Sequence, residues 1–335
     1  MYFMSHRCRG AVLILVIAAV ALLAVLAVEL ASRASVQSLQ TGRASRDAAF
    51  RRLFDSAMQV AIGLIAESAP KPYDFWGDSW NREVRLTLGQ DEQVVSRLAD
   101  ESGKISLNGG QGPEDTGAHG DTIARLFEHL GMKRTSENVI PWADVKLRVF
   151  QRLGFARAED KWVRSFQTPP LVTLDGLREG GLAIDEVFGE AGLARYLTCF
   201  GDGKININTA PPAVLYALEK DFDEAVVERI ARHRGGFYGE PGEYTPFKDP
   251  QELKAIEGVI VKEVVDGRPR VVRDLYEQVR DRITVKSSCF SVRMEATVSG
   301  RTRQAWAFFE TAPASTQDPA IKQTVLRLAF EVIEP

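Results

Sequence analysis

Few residues in this chain are spaced for chemistry. The histidines His6, His119, His129 and His233 have no metal-ligand spacing, and no Ser-His-Asp or Cys-His arrangement accompanies them, so no enzyme is expected. His119 falls in a Gly-rich stretch and His129 on a helical pattern, which predicts that both face solvent. The most specific polar motif is Ile205-Asn206-Ile207-Asn208-Thr209-Ala210-Pro211, which leads into a helical pattern with Val214, Leu215 and Leu218. Asn208 or Thr209 is suited to cap that helix, because a side-chain oxygen can accept a free first-turn N–H. Pro211 or Pro212 suits the first turn.

A strand, a cap and two short helices in this order resemble a helix-hairpin-helix DNA-binding unit. Such a unit normally meets phosphate with glycine N–H groups and nearby cations. Here the turn is Glu219-Lys220-Asp221-Phe222-Asp223-Glu224, and residues 204–257 hold seven Lys or Arg against ten Asp or Glu. That balance repels a nucleic-acid backbone. The whole chain agrees, with 42 basic and 45 acidic residues and a formal charge of -3, so nucleic acid is not an expected partner.

The elements that position this motif begin with an anchor. Residues 11–28 are eighteen consecutive Ala, Val, Leu or Ile, at the lower limit for a helix crossing a hydrocarbon core about 30 Å thick. His6, Arg7 and Arg9 precede the run and Glu29 follows it, which predicts a cytoplasmic amino terminus and a body on the far side of the membrane. Helical spacing continues through Val36, Leu39, Phe50, Leu53, Phe54, Ala57, Met58 and Ile65, without proline until Pro70. One long helix is expected, greasy first and amphipathic afterwards.

Residues 82–88, 93–98 and 104–107 read as strands, and so do 289–298, 302–309 and 325–333, with Gly300 in a hairpin turn. The stretch between them reads as mainly helical. Strands at both ends of a helical middle predict one sheet interrupted by an insertion. The middle contains an echo: Gly103-Lys104-Ile105-Ser106-Leu107-Asn108 returns as Gly203-Lys204-Ile205-Asn206-Ile207-Asn208, and the stretch from Pro170-Leu171 to Leu177 returns as Pro246-Phe247 to Leu253, which suggests two related halves.

The basic stub ending in Arg9-Gly10, followed directly by Ala11-Val12-Leu13-Ile14-Leu15, resembles the processing site of type IV pilins and type II secretion pseudopilins. With the Asn206 to Pro211 motif, the flanking echoes and residues 287–310, it resembles the type II secretion system protein K family, a minor pseudopilin. The resemblance implies an α+β, pilin-like fold, with a long N-terminal helix packed on an antiparallel sheet and a large inserted α-helical domain. The expected units are a prepilin leader at 1–10, a transmembrane stem at 11–28, the pilin-like helix and first strands at 29–108, the insertion at 109–282 and the returning strands at 283–335.

It further implies cleavage between Gly10 and Ala11 by a prepilin peptidase, methylation of the new amino terminus and a place at the pseudopilus tip. Leu15 stands at the fifth mature position, where most members carry Glu. The implied partners are minor pseudopilins of the I and J type, the major pseudopilin and the inner-membrane assembly platform, with Phe50, Phe54 and Met58 as the helix-packing residues. Family members usually carry an acidic calcium loop. Its trace here is Asp144, Glu159 and Asp160, interspersed with Lys146, Arg148 and Lys161, so surface charge is the better reading and no cofactor is expected. Cys8 would leave with the leader. Cys199 and Cys289 remain, either as a disulfide or with Cys199 as a small buried residue. The alternative function is a membrane-anchored, extracytoplasmic helix-hairpin-helix protein that binds DNA.

Overall fold

The computed structural model describes residues 7–109, 118–131, 142–158, 161–164, 171–189, 191–236, 244–265, 268–312 and 324–333. The chain opens with helix α1 (Arg7–Ser68), then runs through β1 (Glu83–Gly89), β2 (Glu92–Asp100), β3 (Ile105–Ser106), α2 (Ala118–His129) and α3 (Trp142–Arg152). Next come β4 (Phe155–Ala158), β5 (Lys161–Arg164), α4 (Ile184–Phe188), β6 (Leu197–Thr198), β7 (Ile205–Asn206), α5 (Pro212–Leu218) and α6 (Glu224–His233). It closes with β8 (Ile260–Val265), β9 (Arg268–Asp274), α7 (Leu275–Val279), β10 (Ile283–Thr284), β11 (Cys289–Val298), β12 (Arg301–Ala312) and β13 (Thr324–Ile333).

The 62 residues of α1 extend about 93 Å at 1.5 Å per residue. Residues 13–41 are exposed throughout, and their apolar part is long enough to cross a membrane, which fits a single-pass anchor. From Ala49 the character changes. Phe50, Leu53, Phe54, Ala57, Met58, Ala61 and Ile65 form one buried stripe, and helical spacing brings them to the same side.

That stripe lies on a five-stranded sheet of order β1-β2-β11-β12-β13, in which every neighbouring pair is antiparallel. In β11, Phe290, Val292, Met294, Ala296 and Val298 point into this core, while Arg293 and Glu295 are exposed. Small residues Ala57, Ala61, Ala296, Ala305 and Ala307 let the helix approach closely, and the larger Phe50, Phe54, Met294 and Phe309 fill the space beside them. Ser299 and Gly300 both have positive φ, 48° and 75°, so β11 and β12 are joined by the two-residue turn whose twist matches the strands. This is the expected α+β architecture of long helix, antiparallel sheet and further helices.

Phe50, Phe54 and Met58 correct an expectation. Read as partner-packing residues, they are 3%, 2% and 5% exposed and belong to the core of their own head. Periodicity marks the apolar face of a helix but does not say whether that face meets its own sheet or another chain. Val36 and Leu39, at 50% and 66% exposure, are the stem residues a partner can reach.

The chain leaves the sheet after Asp100 and returns at Cys289, pairing Asp100 with Phe290. The excursion has its own core, built around Phe127, Phe150, Phe155, Leu215, Ile230 and Phe247. Two expectations fail within it. Residues 104–107 do not extend the main sheet: β3 pairs in parallel with β6. Residues 260–265 and 268–274, read as helical, are the antiparallel pair β8 and β9, as their density of Val and Ile favours.

The burial of Phe54 makes a direct prediction. Phe54→Ala should lower the stability of the detergent-solubilised chain by about 3–5 kcal/mol in urea denaturation followed by tryptophan fluorescence. A side chain used only for partner contact would leave stability within about 0.5 kcal/mol.

Candidate functional site

Between the two apolar cores lies a buried polar junction. Its centre is Asp100, the last residue of β2. Ser287 Oγ donates to Asp100 Oδ2 at 2.6 Å, Thr209 Oγ1 and Asn206 Nδ2 donate to the same oxygen, and Ser102 N donates to Oδ1 at 2.8 Å. Asn206 Nδ2 also reaches Ser287 Oγ at 2.8 Å and the Asp74 carbonyl at 3.2 Å. Asp74 in turn accepts from Ser287 N at 2.9 Å and from Lys286 Nζ at 3.0 Å, and Lys286 also donates to the Ser68 carbonyl at the end of α1. The helix end, the outgoing strand, the Asn-rich motif and the returning strand thus meet on two carboxylates.

The Asn motif therefore does something other than capping. The N-cap of α5 is Pro211, without a side-chain bond, and neither Asn208 nor Thr209 serves there. Asn208 instead clamps one backbone residue, donating to the Phe247 carbonyl at 2.9 Å and accepting from Phe247 N at 2.8 Å. Asn108 does the same to Leu171, at 2.7 and 2.9 Å. The sequence echo is thus a structural one. Ile105 and Leu107 N–H donate to Tyr196 and Thr198, while Ile205 and Ile207 donate to Arg282 and Thr284, giving two short parallel pairs, β3–β6 and β7–β10. A Cβ on Gly103 would lie 2.7 Å from Thr209 Oγ1, so a larger residue there would push the two copies apart.

The turn after α5 carries no surface suited to phosphate. Asp223 caps α6 by accepting from Val226 N, Glu219 accepts from Lys220 N and pairs with Arg282, and Phe222 N donates to the Glu219 carbonyl. Three N–H groups here, of Lys220, Phe222 and Val226, are thus held by Glu219 and Asp223.

The remaining expectations fall out as follows. Gly10, Ala11 and Leu15 lie on α1, and Leu15 is 71% exposed. Asp144 is exposed in the first turn of α3, near Lys146, which pairs with Glu128 at 2.9 Å; Glu159 and Asp160 lie outside the described residues. Among the described residues no three His, Cys, Asp or Glu gather to hold a metal. Cys199 and Cys289 are not joined: both are buried free thiols, and burial pushes Cys199 up to about 12 and Cys289 upward as well. His119 is buried at the start of α2 with its ring 6.1 Å from that of Phe155, against the expectation of exposure, whereas His129 is exposed and stacks on Tyr216 at 4.3 Å.

A long membrane-anchor helix on an antiparallel sheet, with a polar junction holding a large insertion, defines a pilin-like subunit with an inserted domain. Residues 205–264, from β7 through most of β8, match the family model of type II secretion system protein K. A chain of the crystal structure of the GspK-GspI-GspJ complex from the enterotoxigenic Escherichia coli type 2 secretion system has the same fold, with TM-score 0.58 and 15% identity, over 88% of this chain and 99% of that chain. No match was found among curated proteins. The family match over residues 205–264 and the shared fold make this chain similar to type II secretion system protein K.

The junction predicts a pH dependence. Burial pushes the Asp100 carboxyl from 3.8 up to about 7, against the pull of the Ser287 and Thr209 hydroxyls. The folded state therefore holds that proton more tightly than the unfolded one. The resulting stability is fully present below about pH 4 and is lost as pH rises through about 7. Urea stability should fall between about pH 5 and about pH 7.5, and Asp100→Asn should flatten that slope. For the thiols, alkylation without reductant should label both Cys199 and Cys289 in denatured protein and neither in native protein, as mass spectrometry would show.

Proposed function

We propose that this chain is a minor pseudopilin at the tip of the type II secretion pseudopilus, where it primes assembly for protein export across the outer membrane. The observation that carries the reading is the family match across residues 205–264, the segment that begins at the junction strand β7. The bare helical stem up to residue 41 supplies the anchor and a surface for other helices. In this reading the prepilin peptidase cuts between Gly10 and Ala11, the new terminus is methylated, and the stem stays in the inner membrane with the head in the periplasm.

Leu15 supports the tip position. In pilin-like filaments a Glu at the fifth mature position neutralises the amino terminus of a neighbour inside the membrane, where an unpaired charge costs several kcal/mol. With Leu15 this subunit offers no such pairing to a subunit above it, while its own Ala11 amine can still meet the Glu of the next one. It can begin a filament and is poorly suited to extend one. The partners are minor pseudopilins of the I and J type, followed by the major pseudopilin and the assembly platform. Contact with their helices falls on the exposed stem around Val36 and Leu39, since Phe50, Phe54 and Met58 are committed to the core.

Co-expression with the peptidase and the two minor pseudopilins tests this. Mass analysis should find Ala11 as the first residue, and the three subunits should purify together from detergent. A chain that keeps Met1 in the presence of the peptidase, or that never associates with those partners, would sink the reading. Replacing Gly10 by a bulky residue should leave the leader attached.

A further inference from the structure

Where the stem meets the head, the structure holds a cleft of about 570 Å³ lined by Arg43, Arg46, Asp47 and Phe50 of α1 and by Arg301, Thr302 and Arg303 at the start of β12. Arg43, Arg46, Asp47 and Phe50 follow helical spacing and share one side of α1. Arg303 is already engaged: it pairs with Asp47 at 2.8 Å and lies over the Phe50 ring at 4.7 Å. The nearby Glu92 pairs with Arg52. Among the described residues Arg43, Arg46 and Arg301 have no carboxylate partner. Three cations converge here in a chain whose net charge is -3.

We propose that this cleft receives carboxylates from the helix of a neighbouring membrane-anchored subunit, which rises beside α1 and passes Arg43, Arg46 and Arg301 at the base of the head. The inference rests on the pseudopilin reading above and names the chemistry by which one partner is recognised. Height argues for protein over lipid. Arg43 stands fifteen residues beyond the end of the apolar run at Val28, about 22 Å along the helix. The headgroup layer adds only about 5–7 Å to each side of the hydrocarbon core. A parallel helix from the same membrane reaches that level, and a bilayer surface does not. The exposed Val36 and Leu39 lie just below on the same stem, so apolar stem packing and a charged clasp at the head would share one helix–helix contact. Charge complementarity of this kind selects partner and register and speeds encounter.

The test uses the full chain in detergent with the two other minor pseudopilins of its system. Arg43→Glu with Arg301→Glu should weaken the complex about tenfold or more at low salt, while Lys262→Glu, exposed on β8, should leave it unchanged. The wild-type complex should weaken about tenfold or more as salt is raised, the double variant much less, and Lys substitutions at the facing carboxylates of one partner should restore binding to the double variant. Unchanged thermal unfolding of the double variant would show that its fold is intact. A double variant that binds the partners as well as wild type would overturn the cleft's role and leave the pseudopilin reading standing. Failure of the wild-type chain to bind either partner would bring down that reading, and this inference with it. If partner binding were unmoved but charge reversal weakened retention on phosphatidylglycerol vesicles relative to phosphatidylcholine vesicles, the cleft would be a lipid site and the proposal wrong.

Discussion

The arrangement of the whole head depends on one buried carboxylate. Asp100 is the last sheet residue before the chain leaves for its long excursion, and Ser287, which donates to it, lies just before the chain re-enters at Cys289. A charge in that position is costly to bury without donors. The donors come from Asn206, Thr209, Ser287 and Ser102, which belong to the two ends of the insertion and to its middle. Two apolar cores could slide against each other, since hydrophobic contact is not directional. Hydrogen bonds to fixed donors are directional, and they give the insertion one orientation on the sheet.

The same argument explains why Asp74 and Lys286 lie close by. Lys286 Nζ bridges the Asp74 carboxylate and the Ser68 carbonyl at the last turn of α1. Burial raises Asp74, and the Lys286 ammonium is the main force pulling it back. The end of the helix is therefore tied to the strand return through one cation, and the stem has a defined direction relative to the insertion. A subunit that presents its stem to other helices and its insertion elsewhere needs that direction to be rigid.

Much of this could be read from residue pattern, and the failures have physical causes. The alternation of Phe290, Val292, Met294 and Ala296 with Ser291, Arg293 and Glu295 announces a strand, because period two has one meaning in a half-buried sheet. The Phe50, Phe54 and Met58 stripe is equally plain as an apolar face, but a stripe is silent about its occupant. The Asn206 to Pro211 motif is legible as special but not as what it is, because a cap is a local bond and the partners of Asn208 and Thr209 lie far away in sequence, at Phe247 and Asp100. His119 is buried beside Phe155, whereas the Gly-rich composition around it reads as solvent-exposed loop. The β8–β9 pair carries its own sequence signal: β-branched runs on either side of Asp266-Gly267 favour strands and a turn more than a helix.

The internal duplication shows how one copy came to hold the junction. Both copies keep the short parallel strand and the Asn that clamps a backbone residue, Asn108 on Leu171 and Asn208 on Phe247, so these contacts close each half upon itself. The copies differ at the position before the second apolar residue. In the second copy it is Asn206, whose amide spans Asp74, Asp100 and Ser287. In the first it is Ser106, buried, with its hydroxyl making no hydrogen bond among the described residues. A serine is too short to bridge two carboxylate-bearing segments, and a free long amide buried at that point would cost about 1–3 kcal/mol. In the second copy the amide finds its acceptors in Asp74, Asp100 and Ser287. The first half meets the second elsewhere: Gly109 packs against Gly203 so closely that a Cβ on Gly109 would lie 2.6 Å from the Gly203 Cα. The two halves thus share a framework and both reach the pilin-like sheet, the first through Ser102, which accepts from Ser288 N and Cys289 N, and the second through the Asn206 amide, which a serine is too short to replace.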